Sequence, residues 1–334
     1  MNRGSHGQLK IINCVLCLVG FRSTSPARMP VAKQPVFNLP QAMKYVEPVD
    51  LPPGQSPVVA DTCYLSAGAL EAGQILFLPR YGFPVPASYQ PLFSSTILHK
   101  GSKNVTYSPA SGKLYGTASK GQSLSLLEEM MRRFAIFAQK TVTRLLPIYR
   151  TGLVRARASF RPIEIETGPM PWRKDDRRLH IDAFPSSPIQ GNRILRLFCN
   201  VNPAGQTHLW RIGEPFEQTA GRFLPSIKPP FPFSSVALML TSTTKSRRTF
   251  YDHIMLCLQD RMKRDQRYQA EAEQVKMEFP VGSTWLAFTD QVSHAAMRGQ
   301  YQLEQTFLLD ISRLHNQGTA PLHVLEKLAG RKLV

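Results

Sequence analysis

Between residues 121 and 147, apolar side chains recur at steps of three and four: Leu124, Leu127, Met131, Phe134, Ala138, Val142 and Leu145. That spacing places them on one stripe of an α-helix. Ser125 with Glu128 reads as a capping box for its start, and Pro147 ends it. The stripe carries no chemistry and reads as core. Before it, Gly73 to Pro79 has the look of a short buried strand, and residues 30–60 are proline-rich and irregular. From residue 152 the texture changes to short runs of strand-like sequence divided by turn residues. The runs are Leu153–Phe160, Leu179–Phe184, Arg193–Val201, His208–Arg211, Val275–Phe279, Thr284–Phe288 and Thr306–Ile311. A helical pattern of about 25 residues interrupts them from near Thr249. Its far end is basic, with Arg261, Lys263, Arg264 and Arg267.

These elements predict a β-rich α+β protein. A core over residues 151–315 carries a helical insertion at about 245–275. N-terminal strands and helices over 30–150 pack on that core, and 316–334 form a tail. Residues 1–29 read as a leader: Arg3 and Lys10 precede the apolar run Ile11 to Phe21, as in a signal-peptide core. No small-x-small cleavage site follows, and Met29 offers an alternative start.

Composition narrows the choices. With 334 residues, 43% of them hydrophobic, the chain can bury a sizeable core, which excludes whole-chain disorder. No stretch reaches the roughly eighteen apolar residues that a membrane span needs. Five cysteines with no framework spacing argue against a disulfide-stapled domain, and the lone Cys14-x-x-Cys17 has no second pair for zinc. Lys plus Arg number 41 against 23 Asp plus Glu, a formal charge of +18. Such a balance calls for anionic company: nucleic acid, a membrane surface, or a phosphorylated or carboxylated substrate. No GxSxG, P-loop, GxGxxG or HExxH run is present, so serine hydrolase, nucleotide-binding and zincin chemistries have no foothold.

The chemistry centres on His180-Ile181-Asp182. On a strand, residues two apart share a face, so imidazole and carboxylate can converge on one ion. The third candidate is His294, which follows a turn glycine (Gly282), a strand and a short loop and begins the next strand. Two histidines and a carboxylate on one face of a metal, with the other face open, is the donor set of non-haem iron(II) oxygenases. If 2-oxoglutarate fills two open positions, its far carboxylate needs a buried cation. Arg196 answers, standing between Ile194 and Phe198 by period-two alternation, and Arg298 competes with it. Arg193 faces the other way, which suits a substrate or structural role. His99, His208, His253, His315 and His323 have no partner at ligand spacing.

The run Arg178-Leu179-His180-Ile181-Asp182-Ala183-Phe184-Pro185-Ser186, with Gly191 to Arg196 and Asn200 to Pro203, resembles the Kdo hydroxylase family. So do Trp210-Arg211-Ile212-Gly213-Glu214-Pro215-Phe216-Glu217 and Phe288 to Ala295, continuing through Gly299-Gln300-Tyr301 and Glu304 to Phe307. The resemblance runs from about residue 35 to 315. It implies an Fe(II)- and 2-oxoglutarate-dependent dioxygenase on a double-stranded β-helix, a jelly roll of cupin type. Its members use O2 to hydroxylate carbon 3 of 3-deoxy-D-manno-oct-2-ulosonic acid (Kdo) on lipid A, releasing succinate and CO2. It also implies that His180, Asp182 and His294 hold the iron, and that Arg196 binds the 2-oxoglutarate carboxylate. Arg193, Arg211 and the Arg261 to Arg267 cluster are then candidate contacts for the anionic substrate. Kdo-lipid A and the anionic inner face of the inner membrane are the expected partners, with peripheral cytoplasmic attachment and no nucleic acid. Two rivals stand: a 2-oxoglutarate oxygenase acting on a protein or small molecule, and a non-catalytic basic module for membrane or nucleic acid.

Overall fold

Eleven strands among the described residues gather into two sheets in the computed structural model, which describes residues 44–51, 58–231 and 239–334. They are β1 (Val46–Pro48), β2 (Ile75–Leu78), β3 (Val105–Ser108), β4 (Lys113–Tyr115), β5 (Leu153–Arg161) and β6 (Arg193–Asn200). The rest are β7 (His208–Gly213), β8 (Gln274–Phe279), β9 (Thr284–Phe288), β10 (His294–Arg298) and β11 (Gln302–Leu309). The larger sheet has eight strands in the order β1-β2-β9-β6-β11-β5-β3-β4, and the smaller has three, β10-β7-β8. Neighbours run antiparallel except β1 beside β2. The predicted leader and Cys14-x-x-Cys17 lie outside the described residues.

Side-chain alternation divides the molecule into layers. On β6 the odd positions Leu195, Leu197 and Cys199 join one core cluster with the stripe of helix α2 (Gly121–Leu145). On β9, Leu286 and Phe288 join the same cluster, while Trp285 and Ala287 turn the other way. There they meet Phe198 of β6, Trp210 and Ile212 of β7, and Met277 and Phe279 of β8 in the core between the sheets. Helix α1 (Ala60–Glu71) lies beside β2 and β9. A third cluster forms under α3 (Phe216–Phe223), α4 (Phe250–Arg264), α5 (Gln266–Glu271) and α6 (Pro321–Ala329), and takes in Leu179, Ile181, Ile194 and Ala295.

The sequence expectations hold for most elements, with three corrections. Helix α2 begins four residues before Ser125, at Gly121, and its N-cap, Lys120, makes no side-chain cap. Ser125 Oγ instead bonds back to the Gly121 carbonyl at 3.4 Å, so the expected capping box does not form. A capping box does start α4, where Thr249 and Asp252 exchange bonds. Leu179–Phe184 is no strand: only His180 forms a bridge, with His294. Strands β1, β3 and β4 were not among the expected runs, because three- or four-residue strands carry too little alternation to stand out, whereas β10 begins at His294 as expected.

Candidate metal centre

His180 and His294 are partners across an antiparallel bridge. Each backbone N–H donates to the other's carbonyl, at 3.0 and 2.9 Å, so the segment bearing His180 extends the small sheet beside β10. Two residues on, Asp182 N–H donates to Thr289 O at 2.7 Å, in the loop just before His294. These bonds bring two distant stretches of chain together. The result is one group of three buried side chains, His180, Asp182 and His294, whose ligand atoms all lie within 4.8 Å of one another. Among the described residues it is the sole cluster of its kind.

The imidazoles are oriented from behind. His180 Nδ1 lies 2.7 Å from Arg178 O and His294 Nδ1 lies 2.8 Å from Val292 O, so each ring donates there and presents a bare Nε2 to the common centre. Trp210 stacks on His294 with ring centroids 5.2 Å apart and fixes its plane. Burial, with His294 beside it, holds the His180 pKa down to about 3. His294 is lowered as well, chiefly by burial. Burial pushes Asp182 upward, but Arg196 and the two imidazoles outweigh it and bring its pKa to about 2. At neutral pH the trio is thus two neutral imidazoles and one carboxylate, the form that binds a metal without losing protons.

Facing this trio is the inner side of the large sheet. Arg196 Nε sits 3.3 Å from Asp182 Oδ2, and its Nη1 sits 3.2 Å from Glu304 on the neighbouring strand β11. Arg161, opposite Gln302 in register, shares that face with Glu304, which lies opposite Ser159. Burial lowers the Arg161 pKa, while Asp176 and the glutamates around it oppose that. Four buried polar atoms here have no hydrogen-bond partner: Asp182 Oδ2, Arg196 Nε, Arg161 Nε and Trp210 Nε1. A cluster of orphaned donors around a ligand-ready carboxylate is what a bound anion and cation would satisfy.

The other predicted residues go elsewhere. Arg193 is fully buried on the opposite face of β6, donating to Asp290 at 2.7 Å and to Gln291 at 2.6 Å, with its guanidinium 3.8 Å above the Phe288 ring. It is no substrate contact; it staples the loop that carries His294. A bulge in β10 between Ala296 and Arg298 sets Arg298 opposite Leu209, on the outer face, whereas His294 stands opposite Ile212. Arg298 is exposed there beside Glu278, so it is no clamp for a co-substrate in this cradle. Arg211 also points outward, donating to Gln274 at 2.9 Å and to the Arg177 carbonyl at 2.6 Å. Arg161 was missed from the sequence. Its signal was its place at the end of an alternating strand, in phase with Ser159, which only the pairing with β11 makes meaningful.

A family model described as 3-deoxy-D-manno-oct-2-ulosonic acid (Kdo) hydroxylase matches residues 59–332. The chain belongs to the Kdo hydroxylase family. The resemblance carried by the His180 to Ser186 and Trp210 to Glu217 runs is therefore borne out. Among solved structures, the Kdo hydroxylase KdoO, a non-haem Fe(II) α-ketoglutarate-dependent dioxygenase held with α-ketoglutarate and Fe(III), is 40% identical. That match covers 87% of this chain and 97% of KdoO with a TM-score of 0.83. KdoO with cobalt(II) and KdoO in its apo form are each 41% identical, with TM-scores of 0.84. They cover 86% and 87% of this chain and 97% of KdoO. No protein of curated function matches the sequence. The Fe(III) and α-ketoglutarate bound by KdoO are the cofactor pair that the resemblance implied for this Kdo hydroxylase family member.

Proposed function

We propose that this chain is an Fe(II)- and 2-oxoglutarate-dependent dioxygenase that hydroxylates carbon 3 of Kdo on Kdo-lipid A. The two facing sheets are then the double-stranded β-helix of such enzymes, with the helices around 216–271 as additions to it. One observation carries the reading: three buried metal donors, drawn from segments more than a hundred residues apart in sequence, whose ligand atoms lie within 4.8 Å of one another.

His180, Asp182 and His294 hold the iron on one side, and their bonds to the Arg178, Thr289 and Val292 carbonyls keep the donors aimed. Bound there, iron would use dioxygen as the oxidant, one oxygen atom going to the sugar C–H as hydroxyl and the other to 2-oxoglutarate, which leaves as succinate and CO2. What the protein adds is position and shelter. Arg196 and Arg161 meet the carboxylate of 2-oxoglutarate, the former held in place by Asp182 and Glu304. Trp210 offers its free indole N–H on the same side. Phe198, Trp210 and Trp285, interlocked at centroid distances of 5.0 to 5.7 Å, close the interior against water.

No helix among the described residues is long and apolar enough to cross a membrane. The substrate is lipid-held and anionic, so a charge of +18 suits peripheral attachment at the inner face of the inner membrane. The test is metal content and succinate formation in wild type and in Asp182→Ala. Iron retention with full 2-oxoglutarate turnover in the variant would remove Asp182 from the site and the reading with it.

A further inference from the structure

A groove of about 1070 Å³ is walled by α4, the short turn at 172–174 and the segment after α3. Its charged lining is Arg173, Arg222, Arg248, Arg261 and Arg264 against Asp260 and Asp265. Glu214, buried beneath Arg222, is one further carboxylate. Five guanidinium groups face three acids, an excess of two positive charges. Sequence alone singled out the Arg261 end of this helix; the fold adds three arginines from other segments.

The arginines are held in place without being used up. Arg173 lies on the Trp172 ring, 4.5 Å from its centroid, and forks onto Asp260 at 2.9 and 3.1 Å. Arg248 donates to Pro185 O at 2.7 Å, and Arg261 donates to Ser226 O at 2.6 Å. Each of the latter two spends one N–H of five on a backbone carbonyl and keeps its charge. Arg264 is exposed in the last turn of α4 and makes no ion pair among the described residues.

One short run of chain links the groove to the metal ligands. Pro185 lines the groove, and the Phe184 ring before it faces the Arg196 guanidinium at 5.7 Å. Asp182 lies two residues further back. The chain before Arg248 carries an exposed apolar side chain, Leu240, 75% exposed. A phosphate monoester brings about −1.5 to −2 charges at neutral pH and three strong acceptors, which forked guanidinium donors suit. An exposed apolar side chain near a basic segment suits acyl chains at a membrane interface.

We infer that this groove is the docking site for the phosphate groups of the membrane-held glycolipid, and that it presents the sugar to the metal centre. The inference rests on the proposed reaction for the identity of the sugar, and on the groove for the phosphates. It is tested with full-length protein and phosphatidylcholine vesicles bearing lipid A, either fully phosphorylated or enzymatically dephosphorylated. Phosphatidylglycerol vesicles without lipid A form a third arm. Two charge-assisted hydrogen-bond donors are removed in Arg248→Gln/Arg264→Gln, which should weaken binding to phosphorylated lipid A about tenfold to a hundredfold. Binding to the dephosphorylated form should not change. Arg264→Gln alone, at an exposed position, should give a smaller loss of the same selectivity and guards against misfolding of the double variant. On Kdo-lipid A the loss should appear in KM and leave kcat in place.

Equal losses on both lipid A forms, or no loss on either, would overturn the inference. So would phosphatidylglycerol vesicles binding as tightly as phosphorylated lipid A and losing as much, because the ligand would then be any anionic headgroup. Should wild type bind phosphorylated lipid A with this selectivity yet add no oxygen to Kdo, the docking site stands and the hydroxylase reading falls.

Discussion

Replacing Arg193 by methionine isolates the contribution of a charge that never touches the metal. Asp290 is wholly buried, and Arg193 is its ion-pair partner. Removing that partner strands a carboxylate in the core, at a cost of about 3–5 kcal/mol. Loss of the guanidinium over Phe288 adds to this by up to about 2 kcal/mol. Against a typical stability of about 5–15 kcal/mol, the variant should fold but unfold at distinctly lower urea. The pH dependence identifies the cause. Burial already raises the Asp290 pKa with Arg193 opposing, and without Arg193 it rises further. An acid whose folded pKa lies above its unfolded value loses stability as pH climbs from the unfolded pKa toward the folded one. Arg193→Met should therefore be least impaired near pH 4 and fall behind wild type as pH rises from there. The double variant Arg193→Met/Asp290→Asn should recover part of the loss and lose that pH dependence. The same staple holds the loop whose Thr289 and Val292 carbonyls aim Asp182 and His294, so cobalt(II) affinity should weaken about 10–100-fold. Urea titrations within about 0.5 kcal/mol of wild type, or unaltered metal affinity, would refute the reasoning.

Three further outcomes follow from the site. Alanine at His180, Asp182 or His294 should abolish iron retention and 2-oxoglutarate-dependent succinate formation, measured by metal analysis and succinate assay. Arg161→Leu and Arg196→Leu should each raise KM for 2-oxoglutarate at least tenfold, about 1.4 kcal/mol or more per lost charge-assisted bond, by initial-rate kinetics; an unchanged KM in both would place the co-substrate elsewhere. With the His180 pKa lowered to about 3 and its unfolded value near 6.5, the apo protein should lose stability as pH falls from about 6.5 toward 3. His180→Asn should flatten that limb in a urea-unfolding series, and an unflattened limb would show that the imidazole is not buried neutral.

Much of this molecule was legible from its residues because its strands are short, apolar and punctuated. The runs at 153, 193, 275 and 284 are apolar and bounded by turn residues, and each became a strand within a residue or two of expectation. The metal donors were legible for a different reason: two imidazoles and a carboxylate are costly to bury without a purpose, so H-x-D and a spaced histidine stand out. What the linear order hid was pairing. Alternation did separate Arg193 from Arg196, but did not show their partners: one is sealed against Asp290 and the other opens on Asp182. Arg298 was misjudged because a single bulge reverses the alternation after Ala296. Arg161 and the groove arginines depend on register and on the packing of separate segments, which no local pattern encodes.

The most direct measurement is isotopic. Iron-loaded wild type is mixed with 2-oxoglutarate and Kdo-lipid A under dioxygen enriched in a heavy oxygen isotope, and the product is analysed by mass spectrometry. One heavy oxygen atom on the Kdo residue, with succinate formed in equal amount and neither seen in His294→Ala, is the predicted result. Succinate formed in step with consumption of 2-oxoglutarate while the Kdo residue gains no oxygen would contradict it.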